Sequence, residues 1–180
     1  MSIEKVRCGD ANELYEYLIG FYSQAGLKGL NQFVAALKPF AFFSRSRMKS
    51  EVSFPLSFFV LTIILFVGRK KCVEHNYNAS IFDQAMINVW KYIKSDPYFS
   101  MGDLTGNNID RFIEVSNKYK QMACNMDYDY LVENLSELFT GEIASSMSNP
   151  PSTDWIRETL RKHAKWLIEC LLPQYDVLFS

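Results

Sequence analysis

VSFPLSFFVLTIILFVG, running from Val52 to Gly68, is the stretch on which the fold turns. It holds no charged residue, and its apolar side chains leave no side of a helix polar. Seventeen residues of helix rise roughly 25 Å, short of the hydrocarbon thickness of about 30 Å. Ser53 can cap such a helix, Pro55 suits its first turn, and Gly68-Arg69-Lys70-Lys71 suits its C-terminal end. Arg45, Arg47 and Lys49 precede the run and Arg69 to Lys71 follow it, so no charge asymmetry orients it across a membrane. A helix apolar all round is either a buried central helix or a span. Val60, Thr62, Ile63, Ile64 and Val67 would also suit a strand, but the length favours a helix. The expectation is a buried central helix. A membrane-associated segment at 52–68 is the alternative, and a face covered by a partner is a third reading.

The flanking sequence supplies helices to surround it. Ile81, Phe82, Ala85, Met86, Val89, Trp90 and Ile93 recur at steps of three and four, the spacing of one apolar helical stripe. Asn78 or Ser80 can cap that helix and Ser95-Asp96-Pro97 stops it. Ile109 to Ala123 carries a second stripe, entered from Gly106-Asn107-Asn108. Tyr130 to Phe139 carries a third, which Gly141 closes as a C′ residue. The clearest helix follows Asn149-Pro150-Pro151, is capped by Ser152 or Thr153, and runs from Trp155 until Pro173 ends it. Upstream, Leu14, Tyr17, Leu18 and Phe21 predict a helix capped by Asp10 and closed near Gly26. Leu30 to Phe43 predicts another, broken at Pro39. No alternating segment of strand length appears. The fold class expected is all-α: one compact domain over 1–180, with six to seven helices packed around the apolar one. The polar stretch 69–80 could divide it into sub-lobes 1–70 and 79–180.

Composition agrees with a packed helical protein. Eight Gly and six Pro in 180 residues are too few for a turn-rich sandwich or a disordered chain. The net charge of −1 creates no global field toward nucleic acid or membrane, yet the charge is polarised along the chain. Residues 1–25 carry two basic and four acidic groups, residues 26–75 eight and two, and residues 76–180 nine and fourteen. Cys8, Cys72, Cys124 and Cys170 form no C-x-x-C pair, and Glu4, Asp10, Glu13 and Glu16 interrupt any signal-peptide core. Free thiols in the cytoplasm are therefore expected, and the sequons at Asn78 and Asn134 carry no meaning there.

Chemistry is sparse. Only His75 and His163 are available as histidine ligands, and Cys72-x-x-His75 with His163 and Cys170 fits no recognised zinc spacing. Asp103, Asn107, Asn108 and Asp110 lack the order of a calcium loop and read as a capping turn. No phosphate-binding glycine loop, nucleophile elbow or H-E-x-x-H occurs. No metal, cofactor or catalytic residue is expected on the main reading.

Two constellations stand out. Asp127, Asp129, Glu133, Glu137 and Glu142 fall within sixteen residues that hold no Lys or Arg, with Tyr128 and Tyr130 among them. Glu133 and Glu137 share a helix face, where like charges mildly repel. Such an unpaired acidic face suits a partner with a basic surface. By analogy, it suits an inhibitor or immunity-like protein that blocks a nucleic-acid-handling enzyme. The second constellation is Arg157-Glu-Thr-Leu-Arg161-Lys-His163. It resembles the R-x(4–6)-H motif of the HEPN ribonucleases, small all-α dimers, although Glu158 stands where that family often carries an uncharged polar residue. The resemblance implies a homodimer whose Arg157 and His163 meet at a composite, metal-independent RNA-cleaving site. Arginine would hold the phosphate there and histidine would exchange the proton. Six residues apart, the two lie about 120° apart on an undistorted helix.

Overall fold

The computed structural model describes residues 10–36, 45–95, 114 and 127–180. These form five long helices and no strand, as an all-α chain should: α1 (Ala11–Ala36), α2 (Arg45–Glu74), α3 (Ala79–Ser95), α4 (Tyr128–Ser146) and α5 (Thr153–Phe179). The stripe from Ile109 to Ala123, the turn from Asp103 to Asp110, and the break at Pro39 lie outside the described residues.

The helices α1, α3, α4 and α5 each start where a short polar side chain satisfies free backbone amides. Asp10 Oδ1 accepts from the amides of Asn12 and Glu13 at 2.7 and 3.0 Å, opening α1. Asn78 Oδ1 accepts from the Ser80 amide at 3.0 Å and so caps α3. Asp127 caps α4 by accepting from the Tyr130 amide at 2.7 Å, and Ser152 caps α5 by accepting from Trp155.

The helix built on the apolar run is longer than expected, with 30 residues from Arg45 to Glu74. Ser53 is therefore no cap and Pro55 no first-turn residue. Both are interior, and Pro55 simply forgoes one helical hydrogen bond. Gly68 is interior as well. A Cβ there would come within 2.8 Å of the Tyr175 ring and 2.9 Å of the Phe82 ring. Glycine thus lets α3 and α5 approach the α2 backbone. The helix ends instead at Glu74, and Asn76 just beyond it is the left-handed residue (φ 52°). The Tyr77 amide donates to the Cys72 carbonyl at 2.9 Å and the Asn76 amide to the Val73 carbonyl at 3.1 Å, a Schellman turn with asparagine in glycine's usual place. Residues 69–80 are accordingly the last turn of α2 and a tight entry to α3.

Side chains of α2 from Leu56 to Val67 are buried apart from the half-buried Ser57. All four other helices pack on α2. Phe58 stacks on Trp90 of α3, and Phe59 meets Phe139 of α4 edge-on at 5.4 Å. Among the described residues Glu51–Glu74 is long and apolar enough to cross a membrane, but 94% of its most apolar window is covered by the other helices.

Three expected helix ends are corrected. α1 continues through Gly26, because α5 packs on both sides of it through Phe21–Tyr175 and Phe33–Trp155 ring contacts. α4 continues past Gly141 to Ser146, burying Ile143. α5 continues past Pro173 to Phe179, because Tyr175, Leu178 and Phe179 are all buried beyond it. In each case tertiary burial outweighs a local breaker.

Candidate functional site

The acidic constellation lies along α4, and the structure gives it a neighbour that sequence reading missed. Asp129 Oδ1 sits 3.3 Å from Lys165 Nζ. Glu133 is bound by Arg161, and Glu137 Oε2 lies 2.6 Å from Arg157 Nε. On α4 the acids recur every four residues, and on α5 the bases do the same in the opposite direction. The result is a three-rung ladder across an antiparallel helix pair. The face taken as unpaired is thus paired within the chain. Its signal was available in the sequence: two matched four-residue periods of opposite sign, separated by the short connection 147–152.

The other residues of that constellation do different work. Asp127 caps α4. Tyr128 lies under Lys70, whose Nζ is 5.5 Å from the ring centroid. Burial, helped by Glu74, pushes the Tyr128 phenol up to about 12. Tyr130 is exposed at the start of α4, and Glu142 is half-buried near its end.

In every rung the carboxylate is the more exposed partner, as with Glu137 at 65% against Arg157 at 28%. Arg157 and Arg161 are partly covered, their stems along the helix surface, whereas Lys165 is itself exposed; the acids form the outer edge. Asp154 and Glu158 extend that edge onto α5, within 3.2 Å of Arg157 and 3.4 Å of Lys162.

Arg157 and His163 are not brought together. Arg157 is engaged by Glu137 and Asp154. His163 is buried on the side of α5 that faces α1, where its ring stacks on Trp166 and presses on the backbone of Gly29 so closely that a Cβ there would overlap it. Burial lowers its pKa to about 4, so the imidazole is neutral at physiological pH. Neither side chain has the freedom that a shared phosphate-binding groove requires.

A third cluster joins the ends of α2 and α5. Asp176 Oδ1 lies 2.9 Å from both His75 Nε2 and Lys71 Nζ, and Lys71 also reaches Glu74 at 3.0 Å. The contact with His75, then that with Lys71, holds the Asp176 carboxyl below its ordinary value, and Asp176 in turn raises Lys71. No local pattern could reveal it, since His75 and Asp176 are 101 residues apart. Cys72 is buried, with its thiol 3.7 Å from the Tyr77 carbonyl, while Cys170 is exposed. Among the described residues no three His, Cys, Asp or Glu side chains converge as metal ligands would.

Compared with known proteins, the chain matches no family model, and no curated protein or solved structure is significantly similar to it.

Proposed function

We propose that the protein is a non-enzymatic interaction module whose acidic α4 edge docks on a basic surface of another protein, in the manner of an inhibitor or immunity-like factor. The observation that carries this reading is the polarity of the ladder. In each rung the carboxylate is the more exposed partner, and in two of the three the base is partly covered, so pairing within the chain leaves the outer edge richer in acidic than in basic groups. Asp127 and the exposed aromatic Tyr130 prolong the edge toward the start of α4, and tyrosine is a favoured anchor at interfaces. Negative edges of this kind steer encounter with basic partners and fix their register. The free thiols Cys72 and Cys170 suit a reducing cytoplasm.

The test exploits the ladder itself. Exchanging Glu133 with Arg161 and Glu137 with Arg157 keeps the rungs but reverses the sign of the outer edge. Wild-type and exchanged proteins are then used as baits in extracts of the native cells, with bound proteins identified by mass spectrometry. The reading expects a basic protein recovered by wild type and lost from an exchanged bait that melts within a few degrees of it. Recovery of the same proteins by both baits would remove this edge as the interface.

A further inference from the structure

The two halves of α1 are held in different ways. The first half is anchored by Leu14 and Leu18, both fully buried, and by contacts with α3: Tyr15 meets Tyr92 edge-on and Asn88 donates to Asn12. The second half, from Leu27 to Ala36, reaches α5, where Phe33 meets Trp155 and Gly29 meets His163. A cleft of about 420 Å³ lies beside these contacts, so the seam is incompletely filled. Gly26 and Gly29 stand three residues apart where the halves join, and each glycine weakens a helix by about 1 kcal/mol against alanine.

The contact at His163 is the one that a proton can change. Its ring is only 8% exposed, and Nε2 is buried against the Gly29 backbone without a hydrogen-bond partner among the described residues. A neutral imidazole tolerates that place, whereas a charged one needs a carboxylate or water. The surroundings give it no carboxylate. From α1 comes Lys28, its Nζ 4.8 Å over the Trp166 ring that stacks on His163. From α5 comes Lys162, and Glu158 on the same helix is already engaged by it at 3.4 Å. α2 carries no charge from Val52 to Gly68. The acids of α4 are bound to Arg157, Arg161 and Lys165, on the opposite side of α5. Burial accordingly keeps the imidazole neutral down to about pH 4.

We propose that the second half of α1 is an acid-sensitive strap: protonation of His163 breaks its contact with Gly29, and residues 27–36 lift from α5 about the Gly26–Gly29 segment while the other helices stay packed. Lifting uncovers Phe33 and Trp155. The device is separate from the acidic edge of α4 and does not depend on it.

Hydrogen–deuterium exchange of the whole protein, read by mass spectrometry at pH 7 and pH 5 and corrected for the intrinsic pH dependence of exchange, tests this. Peptides covering 27–36 should lose protection about twentyfold on acidification, the ratio required by a pKa of 6.5 when lifted and about 4 when packed. Peptides from α2, α4 and the first half of α1 should keep theirs. His163→Leu should retain protection of 27–36 at both pH values. Gly29→Ala, whose methyl overlaps the ring, should leave 27–36 at least as open at pH 7 as the wild type is at pH 5, with no further loss on acidification. Unchanged protection of 27–36 in the wild type would overturn the proposal, as would an equal loss in all helices, which is global unfolding. So would a loss in His163→Leu as large as in the wild type. Should His163→Leu lack native helical circular dichroism, Gly29→Ala decides: a strap closed at pH 7, or one that still opens with acid as the wild type does, overturns the proposal.

Discussion

The phenol of Tyr175 donates to the main-chain carbonyl of Ile64 across 2.8 Å, tying α5 to the middle of α2 in a buried hydrogen bond. A carbonyl has two lone pairs, so Ile64 can serve its own helix and Tyr175 together. Tyr175→Phe should lower stability by about 1 kcal/mol and Tyr175→Ala by about 3–5 kcal/mol, read from urea unfolding. Burial also drives the Tyr175 phenol well above its ordinary value. A folded-state pKa above the unfolded one adds stability below the unfolded value and removes it as pH climbs. Unfolding should therefore become easier above about pH 10, and Tyr175→Phe should flatten that alkaline limb. A limb unchanged in the variant would assign it to other groups, Tyr128 first.

Pro173 sits in the interior of α5 and is exposed. It cannot donate to the carbonyl one turn back, and a helix tolerates such a residue only at a cost of about 3 kcal/mol. Its exposure means that no packing is lost on replacement. Pro173→Ala should raise stability by about 1–3 kcal/mol in the same assay. A loss of stability would mean that the ring has a packing role.

Gly68 and Gly141 test opposite expectations. Nothing lies within 4 Å of a Cβ added at Gly141, whereas one at Gly68 meets Tyr175 and Phe82. Gly141→Ala should stabilise α4 by about 0.5–1 kcal/mol through helix propensity. Gly68→Ala should destabilise by about 1–3 kcal/mol through overpacking. Thermal melts of the two variants moving in the same direction would contradict this.

His163 predicts an acid limb. Burial lowers its pKa from 6.5 to about 4, so the unfolded chain binds its proton first as pH falls. The neutral folded imidazole loses stability between about pH 6.5 and 4, on the order of 3 kcal/mol in all. His163→Leu should remove most of that slope in denaturant midpoints measured across the window. A wild-type midpoint that stays level from pH 7 to 4.5 would show that the ring is not held neutral.

Much of the fold was legible in single stretches of sequence. The apolar run told of a buried helix because its side chains leave no polar face, and Asp10, Asn78 and Ser152 announced their caps through local chemistry alone. Helix ends were misread wherever a breaker met a distant apolar surface. Pro173 and Gly26 look like stops until Phe179 is seen stacked on Tyr175 and Phe21 against the same ring. The candidate residues were found without their relations. Glu133 and Glu137 read as a free face because Arg157 and Arg161 lie on the following helix. His163 read as a reactive group because its burial depends on a glycine in α1.

The ladder between α4 and α5 has a consequence for how this hairpin assembles. Its charges repeat every four residues on both helices, so sliding α5 by one turn, roughly 6 Å, preserves two of the three pairs. Against exposed pairs of about 0.2–1 kcal/mol each, a slipped hairpin forfeits almost nothing electrostatically. The ladder chooses which faces meet but is nearly blind to alignment. Discrimination falls to the six-residue connection and to the α2 ring contacts, Phe59 with Phe139 above all. A hairpin formed before α2 docks would populate misaligned pairings, and the central helix would act as the gauge that rejects them.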